Sequence, residues 1–338
     1  MQGISIIIPC YNTSDEYLSR CLNSVMNQDY YEYEVLLIDD GSEQKYAENY
    51  DRYAASNDKI KVYHIKNQGV SNARNLGVKE ASKEYVTFVD SDDELADFFL
   101  KDAMTIVDKM NCDMLIGGVC LTDTKPSSVI RTMEYDLTDP KNFICNSISG
   151  KDVIRISNNS FIGRGPVARV VKTDIAKKTP FNTALSIGED IVWNIQLLKK
   201  ISSLVLCKSV WYIYYRVSTS ATHRYNPAIV SALEEELRCI KKELDLSNEE
   251  YLRVYCDHIF QELNKVDKLY LAKSKSLSKK EFNKITNYLY SAEPWTDVLS
   301  VKYFRIASAK YRNQLIYYKL HLLFFNWKWK RALTEKKI

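Results

Sequence analysis

Residues 85–94, YVTFVDSDDE, constrain this chain more than any other stretch. Tyr85, Val86, Thr87, Phe88 and Val89 are β-branched or aromatic, as in a short buried strand of a parallel sheet. The chain then passes at once into Asp90, Ser91, Asp92, Asp93 and Glu94. Carboxylates this dense repel one another and lose hydration unless something positive sits among them. Open α/β sheets bind ligands just beyond the carboxyl ends of their strands. A strand that delivers carboxylates there suits a hard divalent cation, Mg²⁺ or Mn²⁺, which commonly also holds substrate phosphates. Taken alone, a DxD more often marks a solvated acidic loop that caps the next helix. The rest of the chain decides between the two.

The pattern before that stretch alternates strand and helix. Residues 4–8, ISIII, read as a buried strand ending at Pro9, with Tyr11 and Asn12 beyond it. Thr13 or Ser14 then caps a helix whose apolar face is Leu18, Cys21, Leu22 and Val25. Residues 35–38 form a second strand that ends in Asp39, Asp40, Gly41 and Ser42. A helix over 46–55 and a strand over 60–65 follow. Residues 67–77, NQGVSNARNLG, open a helix whose free N–H groups, with Arg74 close by, offer a place for an anion. After the acidic stretch come a helix over 98–110 and a strand over 114–120. Alternation of this kind implies right-handed βαβ units and a parallel sheet. Three strands therefore bring Tyr11, then Asp39 and Asp40, then Asp90 and Asp92 to one edge. That set suits a nucleotide, a diphosphate and a metal. The glycine-rich phosphate loops GxGxxG and GxxxxGK[ST] are absent.

IIIPCYN, LLIDDGS, NQGVSNARNLG and VDSDDEL, in this order and spacing, resemble the family-2 glycosyltransferases of the GT-A fold. The resemblance covers roughly the first third of the chain. It implies an inverting enzyme that uses a nucleotide-activated sugar and a divalent cation, Mn²⁺ or Mg²⁺. It places Pro9 and Tyr11 at the base, with the tyrosine against the uracil. Asp40 would bond the base with Asp39 beside it, and Arg74 would lie near the diphosphate. Asp90 would lie near the ribose with Ser91 next to it, and Asp92 would bind the metal. The bland readings are that Tyr11 packs on its own loop and that Asp39 and Asp40 cap a turn. Asp93 is either a supporting group or a helix cap.

The second half is less regular. Residues 121–149 carry no assignment beyond a hairpin arm over 129–137. A helix is expected over 151–156, a mobile loop over 159–166 and a strand over 167–172. Gly188, Glu189 and Asp190 break the chain before a helix that runs to Lys200. An acid at a helix start is a favourable dipole contact in its own right. By resemblance, the GED is the family's second acidic motif and Asp190 its catalytic base. Residues 204–206 and 211–215 close the sheet. His223 and Arg224, in the polar loop beyond, are candidates to close over the donor phosphates.

After Pro227 helices are expected over 229–244, 249–273, 279–290 and 298–325. The expected architecture is thus α/β, a Rossmann-like, mostly parallel sheet flanked by helices, with a helical extension behind it. Residues 1–225 would be the catalytic domain, 1–100 its nucleotide-sugar half and 101–225 its acceptor half, and 226–338 the helical region. Leu322, Leu323, Phe324, Phe325, Trp327 and Trp329 interleave with Lys328, Lys330, Arg331, Lys336 and Lys337. Such an end suits contact with a membrane surface; packing on other helices or at a homodimer contact suits it equally.

Composition excludes more than it assigns. The balance of 47 basic and 43 acidic residues gives a net charge of +4, too small to indicate nucleic acid as a partner. The eight cysteines are scattered without a CxxC, so reduced core thiols are expected rather than disulfides or zinc. No secretory signal and no bilayer-spanning apolar run is present, which points to a cytoplasmic protein, at most touching the inner membrane face. The function expected is transfer of a hexosyl or hexosaminyl group, most simply from a UDP-sugar, to a glycan or lipid-linked glycan in surface polysaccharide synthesis. The alternative is a catalytically silent module that binds nucleotide or glycan, but such a module should have lost an acid, and both DSDD and GED are intact. Sugar, acceptor and linkage are not written in the motifs.

Overall fold

In a computed structural model, which describes residues 2–149, 154–216, 227–271 and 278–320, the run ISIIIPC forms strand β1 (Ile4–Cys10). It is buried along almost its whole length, as a strand covered by helices on both faces must be. Helix α1 (Asp15–Met26) follows, with Ser14 accepting a bond from Tyr17 N and Leu18, Cys21, Leu22 and Val25 turned inward. Strand β2 (Tyr33–Asp39) runs parallel to β1 and places Asp39 opposite Cys10. Helix α2 (Gln44–Ser56) leads to strand β3 (Ile60–His64), parallel to β2. Helix α3 (Val70–Glu80) returns the chain to strand β4 (Tyr85–Phe88), parallel to β1 on its other side. The spatial order β3-β2-β1-β4 aims the ends of β1, β2 and β4 at one edge.

Helix α3 needs a glycine to lie this close to the sheet. A Cβ on Gly77 would stand 2.3 Å from Ile7 Cγ2, well inside contact distance. The glycine lets α3 seat directly on β1 and fixes the height of Arg74 and Asn75, one turn earlier.

Beyond β4 the pairing changes. Strand β5 (Glu94–Leu95) is short, helix α4 (Phe99–Met110) is amphipathic, and strand β6 (Met114–Thr122) is long. Strand β7 (Tyr135–Thr138), helix α5 (Pro140–Ser149), strands β8 (Ile154–Arg155), β9 (Ser160–Ile162) and β10 (Arg169–Lys172), and helices α6 (Thr173–Lys177) and α7 (Glu189–Leu198) precede strand β11 (Leu204–Tyr215). Strand β10 enters antiparallel between β4 and β6, while β11 runs parallel to β6 and antiparallel to β5 and β7. The result is an α/β fold on an 11-stranded sheet whose long ladders are parallel and whose short ones are antiparallel.

Several local expectations are corrected here. The helix expected over 151–156 is instead strand β8 at Ile154–Arg155, paired with β9, because Ile156 and Ser157 donate to the Ser160 carbonyl in a tight reversal. The loop expected over 159–166 contains β9, and helix α5 was not foreseen. Strand β11 is continuous across 204–215, with an irregular register between Leu206 and Val210.

The chain divides into two compact units, Met1–Val217 and Ser218–Ile338. The second is helical: α8 (Ile229–Glu243), α9 (Glu249–Val266), α10 (Lys279–Ser291), α11 (Val301–Ile306) and α12 (Ala309–Lys319). The single helix expected from 298 is broken. A 3₁₀ turn fills Trp295–Leu299, the Ser300 side chain caps α11 by accepting from Tyr303 N, and Ser308 is the N-cap of α12. Serine favours such starts because its hydroxyl competes for backbone groups. Among the described residues no helix is long and apolar enough to cross a membrane. The aromatic and basic end beyond 320 lies outside the described residues.

Glu34 is a tie within the sheet. Its carboxylate accepts from Ser5 Oγ at 2.8 Å, Ser82 N at 2.8 Å, Ser82 Oγ at 2.7 Å and Lys61 Nζ at 2.9 Å. Burial alone would raise its pKa, but these donors outweigh it and hold it down at about 2, from 4.5. A depressed carboxylate stabilises the fold fully above its unfolded pKa and loses that contribution as pH falls through the folded one. Glu34→Gln is therefore expected to cost about 1–3 kcal/mol near neutral pH. In denaturant titrations the gap between the two proteins should close as pH falls from 4.5 toward about 2; a gap that persists there would show that shape, not charge, carries the effect.

Candidate active site

Each parallel strand of the first unit hands a polar segment to the same edge. At the end of β1, Pro9 is the penultimate strand residue and Tyr11 lies 57% exposed, its ring open to solvent. Asn12 takes a left-handed turn (φ 50°) that is fastened on both sides: its N–H donates to Ser42 Oγ and its Oδ1 accepts from Glu43 N, each at 2.8 Å. At the end of β2, Asp39 accepts from Ser42 N at 2.9 Å and pairs with His64 Nδ1 at 2.7 Å. Burial lowers the His64 pKa, but Asp39 and Asp51 together outweigh it and raise it above its ordinary value. Asp40 holds the start of α3, one oxygen accepting from Gln68 N and the other from Gly69 N, both at 2.8 Å. Both acids thus build the loops, while each oxygen keeps a second lone pair for a ligand.

The acidic stretch spans from β4 to β5 and is tied at several points. Ser91 Oγ lies 2.7 Å from Thr13 Oγ1, which joins it to the Tyr11 loop. Asp93 is buried and accepts from Tyr212 Oη at 2.7 Å and Tyr215 N at 2.9 Å. Tyr212 Oη in turn accepts from Asp90 N at 3.0 Å. Burial first, then the charges of Asp90 and Asp92, push the Asp93 pKa up to about 8. It is a supporting group rather than a helix cap. Asp92 is raised too, by burial and then by Asp90. Arg20 donates to the Asp92 carbonyl, pairs with Glu94 at 3.4 Å and lies over the Tyr215 ring at 3.9 Å. Among the described residues, no ion pair reaches the Asp92 carboxylate itself. A raised, oxygen-only carboxylate cluster in which Asp92 makes no contact ion pair fits a hard divalent cation.

The second acidic motif is drawn to the first by the NARN segment. Arg74 Nη2 lies 3.2 Å from Asp90 Oδ1 and its Nη1 3.4 Å from Glu189 Oε1. Asn75 next to it exchanges two bonds with the Phe181 backbone, at 2.9 and 2.7 Å. The Phe181 ring stacks on Trp193 at 4.6 Å and meets the edge of Phe88 at 5.5 Å, so the path into α7 is packed against β4. Gly188 (φ 75°) turns the chain into α7, and Asp190 occupies the first turn with Oδ1 accepting from Ile191 N at 2.9 Å. Glu189 is raised by burial and by Asp190 and partly relieved by Arg74.

Arg169, buried beneath this corner, donates to the carbonyls of Gly163, Gly165 and Val167 and holds that loop in place. Burial depresses its pKa to about 9, with Asp190 opposing the shift.

The edge therefore gathers Pro9, Tyr11, Asp39, Asp40, Arg74, Asp90, Ser91 and Asp92, and Arg74 joins it to the Glu189–Asp190 turn. His223 and Arg224 lie outside the described residues. The residues not foreseen as site builders are Thr13, Arg20, Glu94, Asn75, Arg169 and Tyr212. Arg20 carried a weak signal, as a cation beside the apolar face of α1. Tyr212 carried none, because a tyrosine in a closing strand reads as core.

The family profile "Glycosyl transferase family 2" matches residues 5–169. Through this domain the chain belongs to glycosyltransferase family 2. Glycosyltransferase GlyG of Streptococcus pneumoniae is 24% identical over 225 residues, covering 64% of this chain and 72% of that protein. Poly(ribitol-phosphate) β-N-acetylglucosaminyltransferase TarS of Staphylococcus aureus is 35% identical over 119 residues, 34% of this chain but only 21% of TarS. The crystal structure of TarS 1–349 superposes with a TM-score of 0.67 at 20% identity, covering 99% of this chain and 92% of that one. The fold of this glycosyltransferase is accordingly GT-A, the parallel β3-β2-β1-β4 half being joined to a mixed half through β10.

The Arg74 bridge yields a direct test. Arg74→Met should destabilise the protein by about 1–3 kcal/mol, since it leaves Asp90 and Glu189 without their cation. Glu189→Gln in that background should recover part of the loss, and a double-mutant cycle should give a coupling of about 0.5–3 kcal/mol. Strictly additive effects in denaturant titrations would mean that the guanidinium does not join the two motifs.

Proposed function

We propose that this glycosyltransferase moves a hexosyl or hexosaminyl group from a UDP-sugar to a hydroxyl of a surface glycan, with inversion at the transferred carbon. The observation that carries the reading is the Arg74 guanidinium, which brings the donor-side Asp90 and the Glu189–Asp190 turn together. Likeness to a TarS structure in complex with UDP-GlcNAc supports the donor class, and similarity to TarS, a poly(ribitol-phosphate) β-N-acetylglucosaminyltransferase, supports a polymeric acceptor.

In this reading the exposed Tyr11 ring stacks on the uracil beside Pro9. The spare lone pairs of Asp40 and Asp39 take the base N–H. Asp90, set by Tyr212, faces the ribose, with Ser91 beside it. Asp92 holds a divalent cation, Mn²⁺ or Mg²⁺, which when bound supplies Lewis-acid neutralisation of the departing diphosphate. Arg74 adds a fixed charge on the same side. Asp190 accepts the proton of the acceptor hydroxyl as its oxygen bonds the sugar carbon and the carbon–phosphate oxygen bond breaks. The electron pair of that bond leaves with UDP, so no covalent enzyme intermediate is needed.

Asp92→Asn should abolish the gain in UDP affinity on adding Mn²⁺ while leaving the thermal unfolding profile in place. Calorimetry with and without the metal measures this, and an unchanged gain would remove Asp92 from the metal site. Asp190→Asn should bind UDP and Mn²⁺ normally yet transfer roughly two to four orders of magnitude more slowly, the usual worth of a general base. Product formation with a panel of UDP-sugars and acceptor glycans supplies the rate. Near wild-type transfer would reduce Asp190 to a helix-start residue, and lost UDP binding would move it to the donor side. A wild-type chain that binds UDP but neither transfers nor hydrolyses any donor would be a silent binding module.

A further inference from the structure

The helical unit buries a group of charged side chains that the transfer reaction does not use. Glu236 lies on α8, and His258 and Glu262 lie on α9; all three side chains have no exposed surface. His258 and Glu262 are four residues apart, so they rise from one face of α9 as neighbours. His258 Nε2 stands 3.1 Å from Glu236 Oε1 and 3.5 Å from Glu262 Oε1. One ligand atom from each residue lies within 4.8 Å of the others. Lys265 Nζ contacts Glu262 Oε1 at 2.8 Å.

Burying two carboxylates together is costly unless they are compensated. Lys265 contacts Glu262 from outside. A single imidazole nitrogen carries at most one proton, and a proton points well at only one acceptor. Both carboxylates nevertheless converge on the same nitrogen, and Glu262 Oε2 is buried without a hydrogen-bond partner. Three ligand atoms gathered within 4.8 Å of one another leave a place for a cation between them. Zinc bonds of about 2.0–2.1 Å in a tetrahedron place neighbouring ligand atoms about 3.3–3.4 Å apart; the two edges that meet at His258 Nε2, 3.1 and 3.5 Å, lie near that value, and the third is within 4.8 Å.

We propose that Glu236, His258 and Glu262 form a structural site for a transition-metal cation of the zinc class, pinning α8 to α9. Lys265 steadies the Glu262 carboxylate from outside. The imidazole ligand separates this site from the oxygen-only cluster at Asp92, since nitrogen ligands favour zinc where carboxylates alone favour Mg²⁺ or Mn²⁺.

The full chain, purified without chelator from medium containing zinc, should carry about one zinc per molecule by elemental mass spectrometry. Asp92→Asn should keep it, while His258→Gln and Glu262→Gln should each lose about tenfold in zinc content. Because these variants alter fully buried side chains, the wild-type chain provides a second readout. After exposure to chelator, added Co²⁺ should give the visible absorption of a tetrahedral site, and Zn²⁺ should raise the melting temperature. Zinc lost in Asp92→Asn would assign the metal to the other cluster and overturn the proposal. A wild-type chain without zinc, indifferent to both Co²⁺ and Zn²⁺, would also overturn it, leaving His258 as a hydrogen-bonded neighbour of the two carboxylates.

Discussion

Like charges brought to one sheet edge set the terms for the first unit. Parallel strands deliver their carboxyl ends together, so Asp39, Asp40, Asp90 and Asp92 are neighbours through topology alone. Left uncompensated, such a cluster would favour protonation or local unfolding. The chain answers with fixed donors: two backbone N–H groups on Asp40, His64 on Asp39 and a tyrosine hydroxyl on Asp93. The Asp92 carboxylate keeps a raised pKa and makes no ion pair among the described residues. The edge is built with one negative position open.

Arg74 couples that edge to the turn at the start of α7. Its guanidinium touches one acid from each motif, and Asn75 clamps the loop that carries Phe181 toward α7. Two adjacent residues of one helix therefore place the second motif relative to the first. Arg169 supports the same corner from below through three carbonyls, although it touches neither acidic motif by a hydrogen bond.

The parallel half of the fold was legible because its signals are local. Apolar β-branched runs such as ISIII and VLLI cannot be solvated strands, and each is followed by an amphipathic helix. The second half was harder for physical reasons. Strand β10 gains its place only by pairing with β4 and β6, which are distant in sequence, and β8 is two residues long. Apolar spacing across 298–320 read as one helix, yet Ser300 and Ser308 restart it. At the site, the acids showed themselves by crowding. The groups that support them did not: Tyr212 looks like core, and nothing in the sequence marks Arg169, until the fold shows what their polar atoms meet.

Gly77 carries a consequence for how natural variation in this chain should be interpreted. Its hydrogen lets α3 rest against Ile7, and that seat sets the height at which Arg74 and Asn75 meet their partners. Any side chain there must lift the helix or displace the strand. Helix and sheet act as a lever with its fulcrum at this contact, converting a sub-ångström error at the hinge into a misaligned pair of motifs at the far end. A screen that sorts positions by distance from the chemistry would file Gly77 with the scaffold, while its substitution would present as a defect of alignment between the two acidic motifs.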